Sequence, residues 1–216
     1  MDQRRFLSLF NERNKIQLPG LEAQLRLAPP YREDLLKKAT TAKKKAKQAA
    51  VLLCVYPNAT GDLHFVLIRR NDYPGVHSGQ ISFPGGKVEP MDASYWDTAL
   101  RETEEEIGIH RLSVAQLLEL SSLYIPPSNF MVRPFLGWCE TKPQFQADAK
   151  EVATIIEIPM TSFLAAQPQK TTQLPLSAHG RSVEVPCYFF GEAAVWGATA
   201  MILSEFQYLM NELLAT

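Results

Sequence analysis

Residues 102–106 read Glu-Thr-Glu-Glu-Glu, four carboxylates in five positions, a short way beyond a Pro84-Gly85-Gly86 run. On a helix turning about 100° per residue, Arg101, Glu102, Glu105 and Glu106 share one face. Trp96, Leu100, Thr103 and Ile107 form an apolar stripe that should meet a core, and Glu104 stands apart, toward solvent. Glu102 has like charges at i+3 and i+4, each costing a few tenths of a kcal/mol, and Arg101 with Glu105 is the one obvious favourable pair. A solvated charged face is the ordinary reading of such a run. The chemical reading is that carboxylates gathered beside a glycine turn, whose bare backbone permits close approach, form a set of hard oxygen ligands suited to Mg²⁺ or Mn²⁺. Magnesium held in this way keeps water and takes its other ligands from substrate phosphates. The ion would polarise a phosphoryl oxygen, a spare carboxylate would position or deprotonate the attacking water, and Arg101 would orient a glutamate by a charge-assisted hydrogen bond.

Positioning these side chains requires a helix over 93–107, with Asp92 or Ser94 as N-cap, Ser94 and Asp97 resembling a capping box, and Gly108 as the stop. Strand-like runs precede it at 49–57, 63–70 and 81–83, and follow it at 117–126, 131–140, 154–158 and 183–191. Residues 6–47 read as helix and connector, and 198–215 as a C-terminal helix packed on a core. The order is that of an α/β or α+β sandwich.

The 216 residues suit one domain with a terminal elaboration, and 46% hydrophobic with 21% charged residues is ordinary for a soluble chain. Net charge is only −1, but residues 1–50 hold twelve Lys or Arg against five Asp or Glu, +7, which leaves −8 for the other 166. Cys54, Cys139 and Cys187 lie far apart with no C-x-x-C pairing, so reduced thiols are expected rather than disulfides or a zinc site. No signal-like N-terminus or run of about 18 apolar residues occurs, so the expectation is a cytoplasmic protein without a membrane partner. Lys43, Lys44, Lys45 and Lys47 could approach an anionic substrate or simply line a solvated helix. They lack interleaved aromatics, and nucleic acid is not expected as a partner.

Residues 86–109, GKVEPMDASYWDTALRETEEEIGI, resemble the Nudix box, G-x5-E-x7-R-E-U-x-E-E-x-G-U with U aliphatic. Gly86, Arg101, Glu102, Glu105, Glu106, Gly108 and Ile109 match. Asp92 replaces the first Glu, Thr103 takes the first aliphatic place, and the span from Gly86 to Arg101 is one residue longer, a lengthening shared with the coenzyme A pyrophosphatase branch. The resemblance implies a Nudix-type α/β/α sandwich around a mixed β-sheet, and Mg²⁺- or Mn²⁺-dependent hydrolysis of a nucleoside diphosphate linked to another moiety. It implies Glu102 and Glu106 as principal metal ligands, Glu105 as a third ligand or the water-orienting base, Gly86 as a carbonyl ligand and Arg101 as the residue that orients the glutamates.

Upstream, FVLIRRNDYPGVHSGQISFPGG resembles the signature ahead of the box in coenzyme A pyrophosphatases. Arg70, Gly79 and Phe83 to Gly86 agree, whereas Asn71 and Gly75 depart. Arg70, Gly85 and His77 are the expected substrate-binding positions, His77 having a structural hydrogen-bonding role as its alternative. Glu151 stands where some Nudix enzymes place a catalytic base, or is a solvated loop carboxylate. Ser78 adjoins His77, but no acid completes a triad. The expectation is therefore an N-terminal helical extension, 1–47, and a Nudix domain, 48–216. Its substrate would be coenzyme A or an acyl derivative, cut to 3',5'-ADP and 4'-phosphopantetheine species. ADP-ribose or another nucleoside diphosphate derivative is the alternative substrate, a non-catalytic nucleotide-binding module the alternative class, and the resemblance also admits a homodimer.

Overall fold

A computed structural model describes residues 2–38, 45–72, 79–171 and 184–215. The central strand is β1, Lys47–Pro57, whose AAVLLCVY run is buried almost throughout because both faces of the sheet are covered. It runs parallel to β7, Phe130–Cys139, and antiparallel to β2, Leu63–Arg70. The sheet order is β3-β2-β1-β7-β5, with β3 at Ile81–Ser82 and β5 at Val114–Glu119. Three more strands join it: β4, Gly85–Lys87, on β1; β6, Leu123–Ile125, on β7; and β8, Val152–Pro159, on β2.

Alternate side chains of β1 feed two cores. Ala50, Leu52 and Cys54 pack with Val66, Ile68, Ala99, Leu100 and Ile107 under the helix α4, Tyr95–Ile107. Leu53 and Val55 pack with Leu67, Leu136, Phe163, Ile202 and Phe206 on the other face. That second layer contains α1, Gln3–Ser8; α2, Gly20–Leu25; α5, Met160–Ala165; and α6, Gly197–Ala215. Another helix, α3, spans Arg32–Lys38. A mixed sheet between helices is the expected α/β/α sandwich. Phe6, Phe10 and Leu27 are buried in the same cluster as β1 and α6. A second sheet, β11-β10-β9, is formed by Ala193–Trp196, Val185–Phe190 and Gln169–Thr171.

Several expectations shift in detail. The 117–126 run falls in two strands, because β5 ends at Glu119 and the Ser121 N–H turns to Glu205 on α6. The strands β9 and β11 and the helix α5 were not expected from the sequence; each spans no more than six residues. Pro84-Gly85-Gly86 is not only a turn, since Gly85 and Gly86 pair with Val51 and Ala50. Cys54, Cys139 and Cys187 are free thiols, and all three are buried. Among the described residues, no helix is long and apolar enough to cross a membrane.

Candidate active site

Helix α4 begins two residues later than its periodicity suggests. Ser94 is the N-cap, its hydroxyl accepting from Asp97 N–H at 3.1 Å, while the Asp97 carboxylate accepts from Ala93 N–H at 3.1 Å. Gly108 ends the helix at φ 75°, its N–H donating to Glu104 O at 2.9 Å. Asp92 is therefore not the cap. It is a buried carboxylate that accepts Arg101 Nε–H at 2.8 Å and Nη2–H at 3.1 Å, together with the Glu89 N–H and the Thr98 hydroxyl at 2.8 Å each. The Arg101 guanidinium holds the Asp92 carboxyl well below the usual carboxylate range. Two strongly paired ends fix Arg101 as a rigid fork.

The rest of that fork points at the glutamates. Arg101 Nη1 donates to Glu105 at 2.9 Å, and Nη2 lies 3.0 Å from Glu102. Glu106 is held from another side: its side chain is 2% exposed, Oε2 accepts Gly85 N–H at 2.8 Å and Oε1 accepts Arg70 Nη1–H at 2.8 Å. Burial pushes the Glu106 carboxyl up to about 7, against the pull of Arg70 and the Gly85 N–H. Burial also raises Glu102, with Arg101 opposing it. In both carboxylates burial outweighs the arginine beside it.

Glycine makes this approach feasible. A Cβ on Gly86 would collide with the Glu102 carboxylate, and one on Gly85, at φ 142°, would collide with Ala50 O and the Val51 backbone. The turn lies directly against Glu102 and Glu106.

The three glutamates expected to act together are not equivalent. Glu102 and Glu106 are drawn to the glycine strand, whereas the Glu105 side chain is 59% exposed and is tied to Arg101. Among the described residues, no three His, Cys, Asp or Glu side chains converge as a ready-made cage. A donor set of two carboxylates beside a glycine backbone still fits Mg²⁺, which uses one or two carboxylates and completes its shell with water and phosphate oxygens. Glu104 does not simply meet solvent as expected: it accepts Arg111 Nε–H at 2.8 Å and Arg111 N–H at 3.2 Å, bracing the loop after the helix.

Of the expected substrate-binding positions, Gly85 has its N–H on Glu106. Arg70 pairs with Glu106 and places Nη2 3.7 Å from Glu151. His77 and Ser78 lie outside the described residues, as do Lys43 and Lys44. Sequence reasoning missed the partnership of Asp92 with Arg101; the signal was there, since Asp92 occupies the box's first acidic position. A cavity of about 740 Å³ lies beyond the C-terminal end of α4 among His110, Leu112 and Trp138 and contains none of these side chains.

Residues 46–176 match the family described as NUDIX domain, a span that encloses β1, the glycine strand and all of α4. The Nudix hydrolase NudL of Yersinia enterocolitica is 34% identical over 146 residues, covering 68% of this chain and 73% of that protein. The NudL of Photorhabdus laumondii is 33% identical over 159 residues, covering 74% and 82%. The crystal structure of a MutT/nudix family protein from Enterococcus faecalis superposes with a TM-score of 0.49 at 16% identity, over 93% of this chain and 76% of that one. Since the family match encloses the whole loop and helix that carry Arg101, Glu102 and Glu106, and relatives a third identical cover more than two thirds of the sequence, the chain belongs to the Nudix hydrolase family.

Proposed function

We propose that the protein is a divalent-metal-dependent pyrophosphatase that cuts the diphosphate of coenzyme A or an acyl derivative into 3',5'-ADP and a 4'-phosphopantetheine species. The observation that carries this reading is the pair of carboxylates, Glu102 and Glu106, pressed against Gly85-Gly86 and steadied by Arg101 and Arg70. Glu102 and Glu106 would hold Mg²⁺ or Mn²⁺, with the Gly86 carbonyl as a further ligand. Once bound, such an ion supplies Lewis-acid polarisation of a phosphoryl oxygen and a water of lowered pKa.

The chain's own residues do the rest. Arg101, anchored at Asp92, holds Glu102 and Glu105 in register. Glu105 is exposed enough to reach solvent and to orient or deprotonate a water. Gly85 presents its N–H to Glu106 and fixes that carboxylate's direction. His77 is retained as a substrate contact, and Arg70 as one once its guanidinium turns toward phosphate. The preference for coenzyme A rests on Arg70, Gly79 and the Phe83–Gly86 run ahead of the box, and on the one-residue lengthening between Gly86 and Arg101.

A turnover screen with and without Mg²⁺, offering coenzyme A, ADP-ribose, NADH and dinucleoside polyphosphates, tests both levels. Release of 3',5'-ADP from coenzyme A is expected. Faster cleavage of ADP-ribose would replace the substrate and leave the chemistry in place, and no metal-dependent cleavage of any of them would overturn the reading.

A further inference from the structure

We propose that Arg70 is a built-in counter-ion for Glu106 that gives way to the divalent cation, and that Glu151 is the carboxylate that keeps the guanidinium when Glu106 is surrendered. This rests on reading Glu102 and Glu106 as the cation site.

Three observations carry it. First, Glu106 is the more deeply buried of the two partners. The glutamate is 2% exposed, belongs to a capped helix and has its second oxygen on the Gly85 N–H at 2.8 Å. Arg70 is 24% exposed at the end of β2 and carries a long flexible side chain.

Second, the backbone holds Arg70 and Glu151 side by side. The register of β2 on β8 shifts between Arg69 and Arg70, and Asn71 N–H then donates to Glu151 O at 2.9 Å. A register break of this kind re-aims the side chain beside it. It leaves one guanidinium between two carboxylates, 2.8 Å from Glu106 and 3.7 Å from Glu151. Glu151 is 53% exposed, free to follow the arginine.

Third, the charges cannot all stay. A divalent ion at Glu106 and a guanidinium bonded to the same carboxylate are like charges within a few ångströms, in a site where water screens poorly. A buried carboxylate left without any counter-charge is also costly, so the metal-free protein needs Arg70 where it is. Cation loading and guanidinium release are then a single exchange. The released charge stays tethered at the mouth of the site by Glu151, where an anionic phosphate would meet it. Arg70 is thus a positioning residue before the metal binds and a substrate contact afterwards.

Metal affinity of the full chain, read by titration calorimetry with Mg²⁺ alone, tests the exchange. Arg70→Gln is expected to bind Mg²⁺ about tenfold more tightly than the parent, because it removes the competing charge. Glu151→Gln is expected to bind about threefold more weakly, and much less so when Arg70 is already Gln. Metal-free Arg70→Gln should melt below the parent, with most of that gap closed by saturating Mg²⁺. Equal or weaker Mg²⁺ binding by Arg70→Gln would overturn the exchange, as would additive effects of the two substitutions or a melting deficit that Mg²⁺ leaves in place. If Arg70→Gln does not fold, Glu151→Gln alone decides, and unchanged affinity in that variant overturns the proposal. A parent chain that binds no Mg²⁺ at all sinks the cation site itself, a different failure from a parent that binds while Arg70 proves indifferent.

Discussion

The carboxylate of Glu102 stands where the first side-chain atom of any residue other than glycine at position 86 would have to be. Gly86 has no left-handed backbone to protect, so its requirement is one of space alone. The obstructed atom is the far end of a flexible glutamate, which can swing aside. Gly86→Ala should therefore fold with less than about 1 kcal/mol lost, while displacing Glu102 and lowering kcat/KM about a hundredfold. Denaturant melts beside steady-state rates check this, and a variant that keeps both its stability and its rate would show that Glu102 is not needed at the glycine.

One position earlier the balance reverses. Gly85 combines φ 142° with backbone on two sides, Ala50 O and the Val51 main chain, neither of which can move without opening β1. Gly85→Ala is expected to cost at least about 2 kcal/mol of stability, the backbone strain adding to the clash. Thermal unfolding decides: a Tm close to the parent's would mean that β4 can detach from β1 at little cost.

Much of this site was legible in the sequence because it is local. Arg101, Glu102 and Glu105 fall on one face by helical geometry alone, and Ser94 and Gly108 mark where that helix starts and stops. Spacing on a helix says nothing about depth, so it could not foresee that Glu106 would be buried and Glu105 exposed. That depends on β4 and on Arg70, brought from distant parts of the chain. The fold divides in the same way. Long apolar runs such as β1 and β7 announce themselves, whereas β9 and β11 have three and four residues, too few to show a period. The Glu104 brace was hidden for a related reason, since its partner, Arg111, lies beyond the glycine stop where the helical register no longer applies.

Glu106→Gln removes the charge but keeps an oxygen for the Gly85 N–H. A fall in kcat of at least about a hundredfold is expected, since a neutral amide is a poor ligand for a hard cation. Single-turnover rates at saturating Mg²⁺ are the measurement, and near-normal turnover would remove Glu106 from the assigned role.

Asp92→Asn tests the anchor behind Arg101. The native carboxyl is held low by Arg101, whereas an unfolded Asp titrates near pH 3.9. The carboxylate's contribution is thus fully present above about pH 5 and is lost as pH falls below the unfolded value, through the lower native one. The parent should be more stable than Asp92→Asn by about 2 kcal/mol at neutral pH, and the gap should narrow only below roughly pH 4. Urea titrations across that range check the sign, and a gap that widens on acidification would contradict the assignment.

Phe6 tests what the N-terminal segment contributes. Its ring is fully buried, 5.2 Å from Phe10 and 5.7 Å from Trp138, which lies on β7 beside the central strand. Truncating such a ring removes apolar burial and leaves a cavity that its neighbours fill only in part, a loss of about 3 kcal/mol or more for Phe→Ala. Phe6→Ala is therefore expected to destabilise the whole sandwich in one cooperative transition, and deleting residues 1–45 to do so more severely, because Phe10 and Leu27 leave the same core. Chemical unfolding followed by the fluorescence of Trp96, Trp138 and Trp196 together measures the loss. A loss below about 1 kcal/mol for Phe6→Ala would mean that α1 rests on the sandwich without being part of its core.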